Sequence, residues 1–347
     1  MQQVEAQLTE FLATRRRLLE SIDDETVALV DEATVAVSGG KRLRPGFCLA
    51  GWQATGGDPE DVRAVRAAAA FELLQASALV HDDLMDASDT RRGRPAAHRA
   101  FERRHETAGW SGDRTRYGAG AAVLLGDLLL AWAHQLLRDS GFAPATVDHA
   151  APLFDLCITE VTAGQYLDLV SQVSGVGDEE LALRVVRFKS ASYTVVRPLH
   201  VGAALGGADP ALLAALAAYG EPVGVAFQLR DDVLGVFGDP DETGKPAGDD
   251  LREGKRTVLL ARTAARTDAD GRALLDRCVG DSNLDSADLR RLRDLIVSSG
   301  ALASVEQTIA DLDAQARAAL DTVDAAAVGD VRPVLETLAS AALERVR

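Results

Sequence analysis

An aspartate cluster occurs twice in this chain, and both copies lie in sequence that is otherwise apolar. The first is Asp82-Asp83-Leu84-Met85-Asp86, and the second begins with Asp231-Asp232, 149 residues later. The surrounding Ala, Leu and Val residues read as helix, and positions i and i+4 of a helix lie on one face. Stacked carboxylates in an apolar setting repel each other unless a cation neutralises them. Because Mg²⁺ commonly binds through a few carboxylates plus substrate phosphates, the pattern predicts an enzyme that handles diphosphates.

The composition narrows the class of protein. The 347 residues are 47% hydrophobic and only 5% aromatic, so a large core can form and helix is favoured over strand. A net charge of −16 argues against a nucleic-acid partner, because phosphate-backbone affinity needs a basic surface. The odd number and wide spacing of Cys48, Cys157 and Cys278 predict buried thiols rather than disulfides or a zinc site.

The same sequence features predict a cytoplasmic protein with no membrane span. The N-terminus, Met1 to Glu20, is polar and charged, unlike a signal peptide. The longest apolar run, Ala119 to Ala133, contains Asp127 and is too short to cross a bilayer.

Glycine, proline and aspartate divide the chain into predicted helices. Helical periodicity runs from Gln2 to about Ala36, and another helix is expected after Pro45. The other predicted helices run from Val62 to about Ser88, Ala119 to Arg138, Ala145 to Leu169, Asp178 to Ala204, Pro210 to Val236, and from Thr257 to the end with a break near Ser282-Asn283. Loops are predicted at Glu106 to Tyr117 and at Gly238 to Gly254. With no strand pattern and no linker, we predict a single all-α domain spanning residues 1–347.

Basic residues accompany both aspartate clusters. The segment from Gly39 to Pro45 (GGKRLRP) combines three cations with a helix N-terminus, which itself attracts anions. Arg91-Arg92 follows the first cluster, and Lys245 and Lys255 follow the second. Each of these basic segments alone is typical of solvated surface charge or of a structural salt bridge. Together, acidic patches for metal and cations for phosphate are what an enzyme needs to bind diphosphates and neutralise a departing one.

The successive motifs between Gly39 and Thr257 are GGKRLRP, ELLQASALVHDDLMDASDTRRG, GQYLDL, FKSASY and AFQLRDDVLGVFGDPDETGKPAGDDLREGKRT. In order and spacing they resemble the trans-isoprenyl (polyprenyl) diphosphate synthases, and most of all the bacterial geranylgeranyl diphosphate synthases. The resemblance implies the all-α isoprenoid-synthase fold, with helices around a deep central cavity, and a homodimer. It also implies a Mg²⁺-dependent prenyltransferase that condenses isopentenyl diphosphate with an allylic diphosphate (dimethylallyl, geranyl or farnesyl).

The resemblance implies roles for individual residues. The metal ligands would be Asp82 and Asp86, with Asp83 in support, and Asp231 and Asp232, holding three Mg²⁺ ions with substrate bound. The ligands of the allylic diphosphate would be Arg91, Lys189, Lys245 and Lys255. The ligands of isopentenyl diphosphate would be Lys41, Arg44, Gln75 and Arg92. Ser190 and Gln228 would join Arg91 and Lys189 in acting on the reacting centre, and Gln165 and Asp168 would line the site.

The second cluster departs from the family pattern at one position. Gly235 stands where a third aspartate is usual, and Asp239 lies four residues further on. We expect Gly235→Asp to leave the enzyme active and to lower its Mg²⁺ requirement, because the new carboxylate would stand one turn after Asp231.

Product length and the alternative functions stay open at this level. We expect the growing chain to extend down a tunnel beside the helix that carries Asp82. Ser77 and Ala78, five and four residues before Asp82, are small and would not block it. A tunnel floor near Leu74 or Phe71 would suit a C20 product. A longer polyprenyl product is the runner-up. A class I terpene cyclase would need no second diphosphate site, and a non-catalytic partner subunit typically lacks the aspartate clusters. Consumption of isopentenyl diphosphate by the chain alone separates these alternatives.

Overall fold

The computed structural model describes residues 1–174, 178–239, 248–281 and 283–343, and within them nearly every element is a helix. The exception is a short antiparallel ribbon that pairs Thr90–Arg91 with Arg94–Pro95. The all-α class predicted from the sequence is confirmed.

The first nine α-helices are α1 (Gln2–Glu20), α2 (Val27–Ala36), α3 (Leu43–Ala54), α4 (Val62–Met85), α5 (Ala97–Thr107), α6 (Arg114–Arg138), α7 (Pro144–Ser174), α8 (Glu179–Val185) and α9 (Arg197–Leu205). A 3₁₀ turn, Asp24–Thr26, precedes α2, and a π-helix, Val186–Val196, joins α8 to α9. The later helices are α10 (Pro210–Phe237), α11 (Asp249–Glu253), α12 (Val258–Arg266), α13 (Ala269–Cys278), α14 (Ser286–Ser298), α15 (Ala301–Ala326) and α16 (Arg332–Leu343).

The chain divides into two compact units. The first consists of Met1–Pro152 with Pro198–Ala208, and the second of Leu153–Arg197 with Asp209–Arg347. The single domain expected from the sequence stays a prediction.

Aspartates begin many of these helices. The carboxylate at the N-cap accepts backbone N–H groups of the first turn, which otherwise lack partners. The aspartates that do so are Asp61, Asp113, Asp178, Asp209, Asp268 and Asp285. Part of the acidic composition therefore serves helix initiation.

In the first unit, α4 is the central helix and packs closely against α6. Phe71 and Leu73 of α4 are fully buried. Ser77 Oγ donates to the Gly126 carbonyl of α6 at 2.7 Å, and a Cβ built on Gly126 would lie 2.5 Å from Cε1 of His81. The face of α4 that contacts α6 therefore includes Ser77. A different face stays only partly buried, and it carries Gln75, Ala78, Leu79 and Asp82.

In the second unit, α10 lies in an apolar core built with α12, α14 and α15. Leu229 and Val236 of α10 are buried with Leu259, Leu292 and Val305 of those helices. At the C-terminal end of α10, the Val236 carbonyl accepts a hydrogen bond from Arg293 Nε at 2.8 Å. This packing fixes the helix that carries the second aspartate cluster.

Several element boundaries differ from those predicted. The helix expected from Gln2 to Ala36 is interrupted at residues 21–26, and α3 begins at Leu43, two residues before Pro45. Proline is tolerated there because the first-turn N–H groups have no intrahelical acceptor. The predicted loop from Glu106 to Tyr117 is shorter, since α5 ends at Thr107 and α6 begins at Arg114.

Within the described ranges, α6 and α10 are long and apolar enough to cross a membrane by length and composition. The buried share of their apolar windows is 44% and 56%. Core helices of ordinary globular proteins meet the same criterion, so the absence of a span stays a prediction.

Candidate active site

The two outer aspartates of the first cluster lie one turn apart at the C-terminal end of α4. The Asp86 backbone N–H donates to the Asp82 carbonyl at 2.8 Å, so the predicted (i, i+4) geometry is present. Both residues are half-buried, and Asp86 is the C-cap. Carboxylates are unfavourable at the negative end of a helix dipole. A bound cation would offset that cost.

The middle aspartate of this cluster contacts an arginine. Arg91 Nε donates to both carboxylate oxygens of Asp83, at 2.9 and 3.2 Å, and Asp83 is only 3% exposed. A bidentate contact fixes the orientation of the guanidinium, and Arg91 Nη2 also lies 3.7 Å from Asp82 Oδ2. Asp83 therefore anchors Arg91 beside Asp82, whereas its support of a metal stays a prediction.

Arg42 anchors the basic loop, which is the part of the segment from Gly39 to Pro45 that precedes α3, to helix α4. It has a left-handed backbone with φ 54°, and its buried guanidinium pairs with the buried Glu72 of α4. Lys41 is left exposed and Arg44 half-buried. The sequence reasoning missed Glu72, although a carboxylate in an apolar helix signals that a cation must lie opposite it.

Arg92 lies against the same loop. Its Nη1 donates to the Ser38 carbonyl at 2.6 Å, and a Cβ on Gly40 would stand 3.2 Å from Nη2. The pKa of Arg92 is lowered by burial of its guanidinium and by the charges of Arg91, Arg42 and Arg44, with Glu72 acting in the opposite direction. The charges of Arg91, Arg42 and Arg44 all act on Arg92, so these four arginines form a positive region that an anion would stabilise.

In the second unit, the π-helix carries Lys189 and Ser190. Such wide turns occur frequently at functional sites. Lys189 Nζ donates to Asp168 Oδ2 of α7 at 2.6 Å. The two helices approach closely because α7 has Gly164, where a Cβ would lie 2.7 Å from the Lys189 Cα. The structure thus joins the predicted Lys189 and Asp168, with Gln165 half-buried one turn earlier.

The second aspartate cluster lies near the end of α10. Gln228 Nε2 donates to Asp232 Oδ1 at 2.7 Å, so this amide contacts a carboxylate. Asp232 Oδ2 is buried and has no hydrogen-bond partner among the residues described. Burial, together with the charges of Asp250 and Asp231, raises the pKa of Asp232 to about 8, against the hydrogen bond from Gln228 and the charge of Lys255. A buried carboxylate oxygen without a partner is costly, and a cation would relieve that cost.

Gly235 is in close contact with α11. A Cβ built on it would lie 2.5 Å from Asp250 Cγ, and closer still to Oδ2. A side chain at residue 235 would have to displace the Asp250 carboxylate, and the expected activity of Gly235→Asp stays a prediction. Asp239, the other candidate for the missing carboxylate, is exposed beyond the end of α10.

Two predicted lysines follow the second cluster. Lys255 Nζ lies 3.0 Å from Asp250 Oδ1 and 2.6 Å from Glu253 Oε2, so its charge is close to acidic groups. Lys245 lies outside the described residues.

Within the part of the chain that the structure describes, no three Asp, Glu, His or Cys side chains form a cage for a metal ion.

The family model of the polyprenyl synthetases matches residues 28–296. Geranylgeranyl pyrophosphate synthase from Corynebacterium glutamicum, complexed with isoprenyl diphosphate and magnesium, has a similar structure with a TM-score of 0.94. It is 40% identical, over 99% of this chain and 98% of that one. A short chain isoprenyl diphosphate synthase from Methanothermobacter thermautotrophicus is 31% identical, over 95% of this chain and 94% of its own length. Geranylgeranyl diphosphate synthase from Saccharolobus solfataricus is 34% identical, over 75% of this chain and 73% of its own length.

These matches cover the aspartate clusters, the basic loop and the helices that carry them. They confirm both the family and the isoprenoid-synthase fold predicted from the motifs. The chain belongs to the polyprenyl synthetase family and is a prenyltransferase.

Proposed function

We propose that this prenyltransferase condenses isopentenyl diphosphate with an allylic diphosphate to give geranylgeranyl diphosphate (C20), with Mg²⁺ as its cofactor. The observation that carries the proposal lies within the first unit. Asp82 and Asp86 stand one turn apart beside Arg91, and a second set of cations, Arg44 and Arg92, lies around the loop before α3. The first unit thus offers one place for a metal-bound diphosphate and a second place for a diphosphate held by cations alone. The C20 product is supported by relatives named geranylgeranyl diphosphate synthases.

The donor set fits the metal. Asp82, Asp86 and Asp231 are half-buried carboxylates, and Asp232 contributes a buried oxygen without a described partner. These residues would hold Mg²⁺, three ions when substrate is bound. When bound, Mg²⁺ neutralises the diphosphate and so makes it a better leaving group.

The side chains have distinct tasks in the proposed reaction. Arg91, Lys189, Lys255 and Lys245 stabilise the allylic diphosphate as its C–O bond breaks, and charge-assisted hydrogen bonds suit that purpose. Lys41, Arg44, Gln75 and Arg92 hold isopentenyl diphosphate so that its double bond attacks the allylic carbon. Ser190 and Gln228 orient the allylic ester. Loss of one proton then completes the new double bond, with diphosphate as the second product.

The partly buried face of α4 is proposed to set the chain length of the product. Ala78 lies on that face one turn before Asp82, with Leu79 beside it. Ser77, by contrast, is 3% exposed and hydrogen-bonded to Gly126 of α6, so of the two positions chosen from the sequence we retain Ala78. The small side chain at Ala78 places no bulky barrier there, which supports a product longer than C15.

The test is incubation of the purified chain with isopentenyl diphosphate, Mg²⁺ and each allylic primer, followed by chromatography of the dephosphorylated products. Geranylgeraniol as the main product supports the proposal. Longer alcohols would indicate a longer-chain synthase, and hydrocarbon formed without consumption of isopentenyl diphosphate would indicate a terpene cyclase. Absence of turnover would favour a partner-subunit role.

We also propose a cytoplasmic homodimer. Exposed apolar side chains on α6, Val123 and Leu124, support an interface, as do Leu156, Tyr166 and Val173 on α7. Adjacent exposed apolar residues such as Val123 and Leu124 commonly mark protein–protein contacts. Light scattering coupled to size exclusion tests this assembly, and a monomer mass across the micromolar range would contradict it.

A further inference from the structure

We propose that Glu72 is a positioning residue for isopentenyl diphosphate. By holding the Arg42 guanidinium, it fixes the junction between the basic loop and α3, which carries Lys41 and Arg44. The inference rests on the proposed function, because Lys41 and Arg44 are the residues assigned there to isopentenyl diphosphate. It gives a role to a buried carboxylate that the proposed reaction does not otherwise use.

The burial of this ion pair is the first argument. The side chains of Arg42 and Glu72 are each 5% exposed, and Glu72 stands between the fully buried Phe71 and Leu73 of α4. Its Oε2 contacts Arg42 Nη1, whereas its Oε1 is buried without a hydrogen-bond partner among the described residues. A buried ion pair adds little stability over apolar side chains of similar volume. What the carboxylate adds is a defined place for the guanidinium.

The backbone of Arg42 is the second argument. Arg42 is the N-cap of α3 and has a φ of 54°, a conformation that is unfavourable for a residue with a Cβ. Its carbonyl accepts the Gly46 N–H at 3.0 Å. Lys41 precedes it, and Arg44 follows two residues later. Because one residue carries both the buried guanidinium and the turn into α3, the contact with Glu72 fixes the backbone of both proposed ligands.

The surrounding charges are the third argument. Burial lowers the pKa of Arg92, and the charges of three neighbouring arginines lower it further, whereas the charge of Glu72 raises it. One carboxylate thus acts on Arg42 by contact and on Arg92 through its charge. It reduces the repulsion among the arginines before a diphosphate is bound, and the region stays positive. Cations that are already assembled cost less to order when the ligand binds.

Glu5 of α1 offers a matched control. Its Oε1 lies 3.7 Å from Arg42 Nη2, and its side chain is 56% exposed. Water screens an exposed ion pair, which therefore contributes little. Glu5→Gln and Glu72→Gln remove the same charge from around the same guanidinium, one at the surface and the other in the core.

The experiment measures binding of isopentenyl diphosphate to the full chain by titration calorimetry without Mg²⁺, because this position is proposed to hold its ligand by cations alone. We expect Glu72→Gln to raise the Kd about tenfold or more, since a misplaced charge-assisted hydrogen bond costs about that much. Glu5→Gln should change it less than about threefold. A Kd equal to that of wild type in a folded Glu72→Gln variant would overturn the inference.

Steady-state kinetics with Mg²⁺ and an allylic primer adds a second readout. In Glu72→Gln, we expect the KM for isopentenyl diphosphate to rise in parallel with the Kd. The KM for the primer should stay close to that of wild type. A general loosening of the structure would raise both constants together, and that result would contradict a positioning role.

The double variant Arg42→Met with Glu72→Leu separates positioning from stability. It replaces the ion pair by apolar side chains, a change that commonly preserves or increases stability. We expect a Tm at or above that of wild type, with the Kd for isopentenyl diphosphate still raised about tenfold or more. Wild-type affinity in this variant would show that the pair serves packing alone and would overturn the inference. The double variant keeps the test valid if Glu72→Gln alone fails to fold.

The wild-type protein separates this inference from the proposed function. If the wild type binds isopentenyl diphosphate but forms no prenyl diphosphate, the proposed function fails, and the ratio of Kd values still decides the role of Glu72. If the wild type is active and Glu72→Gln binds isopentenyl diphosphate normally, only the role of Glu72 fails. If the wild type binds no isopentenyl diphosphate, both fail.

Discussion

At the scale of single residues, the arginines of the first unit differ in what holds them. Arg42 pairs with Glu72, Arg91 with Asp83, and Arg92 with the Ser38 carbonyl. The sequence predicted Arg91 and Arg92 as phosphate ligands because their motif follows an aspartate cluster. It did not predict Glu72 or the Ser38 carbonyl, since these lie 30 and 54 residues from the arginines that they contact. Such pairings depend on tertiary packing, which a motif does not encode.

The outer aspartates of α4 give the first prediction. We expect Asp82→Asn or Asp86→Asn to lower kcat about 100-fold or more, because preorganised stabilisation of a departing charge is typically worth that much per group. Steady-state kinetics at saturating Mg²⁺ measures the effect. Asp89→Asn is the control, since Asp89 is exposed and pairs with Arg99 at 2.8 Å. Equal turnover in the three variants would remove the metal assignment.

The basic loop gives a second prediction at this scale. We expect Lys41→Ala and Arg44→Ala to raise the KM for isopentenyl diphosphate about tenfold or more, because a charge-assisted hydrogen bond contributes roughly 1.5–3 kcal/mol. The KM for the allylic substrate should change much less. Arg94→Ala, an exposed change on the ribbon, should leave both values unchanged. A parallel rise in both constants would show that the two diphosphate positions have been assigned incorrectly.

At the scale of elements, the π-helix shows which part of the secondary structure the sequence predicts and which part it does not. The helix from Asp178 to Ala204 was predicted from its apolar pattern, and helix is what the structure contains, as α8, the π-helix and α9. The widened turns at Val186–Val196 were not predicted, because eleven residues are too few to distinguish hydrogen bonds to i+5 from those to i+4 by periodicity. The structure adds a close contact at this element, where Gly164 of α7 lies against the backbone of Lys189.

Gly164 gives the prediction for this contact. Replacing glycine by alanine in a helix interior usually stabilises it by about 1 kcal/mol. We expect Gly164→Ala instead to lower the free energy of unfolding by about 1–3 kcal/mol, because the Cβ overpacks against Lys189. Urea denaturation measures both this variant and Gly120→Ala of α6, where nothing lies within 4 Å of an added Cβ. Stabilisation in both variants would show that the added Cβ does not overpack against Lys189.

The ion pair between α7 and the C-terminal end of the π-helix predicts a dependence on pH. Arg197 Nη2 lies 2.6 Å from Glu160 Oε1. Burial alone would raise the pKa of Glu160, but hydrogen bonds from Arg197 and Ser192, together with the charges of Arg197 and Arg187, lower it overall from its ordinary value of 4.5. A lowered folded-state pKa means that the unfolded chain binds the proton more tightly, so this stabilisation is present above about pH 4.5 and is lost as the pH falls through the folded-state value.

We therefore expect Glu160→Gln to lower the Tm by a nearly constant amount between pH 7 and pH 5. The difference from wild type should shrink below pH 4.5. Thermal unfolding followed by circular dichroism measures it, and a difference that grows on acidification would contradict the assignment.

At the scale of the whole molecule, the motifs predicted family, fold class and reaction because they span most of the chain in a fixed order. Product length could not be predicted in the same way. Sequence spacing alone pointed to both Ser77 and Ala78, and only the contact between Ser77 and Gly126 shows that Ser77 faces α6. The homodimer and the single domain stay predictions, because association and unit boundaries depend on surfaces that no motif describes.

The product ruler gives the prediction at this scale. We expect Ala78→Phe to shift the main product from C20 to C15, because the new ring would stand one turn before Asp82 on the partly buried face of α4. Chromatography of dephosphorylated products measures the shift. Val62→Phe, on an exposed position at the start of α4, should leave chain length unchanged. An unchanged C20 product from a folded Ala78→Phe variant would exclude this face as the ruler.

The left-handed residues around the first cluster have a consequence for attempts to evolve the protein. Among the described residues, Arg42, Ala87 and Arg92 are the non-glycine positions with positive φ, at 54°, 53° and 52°. Each such backbone costs roughly 1–2 kcal/mol, which glycine would avoid. A library selected only for heat resistance should therefore accumulate glycine at Ala87, where no functional group is lost. Glycine at Arg42 would gain nothing, because loss of the guanidinium would leave the buried Glu72 as an unpaired charge. Arg92 cannot become glycine without losing a guanidinium that the proposed reaction uses, so selection for turnover would keep its strain and selection for heat resistance would oppose it.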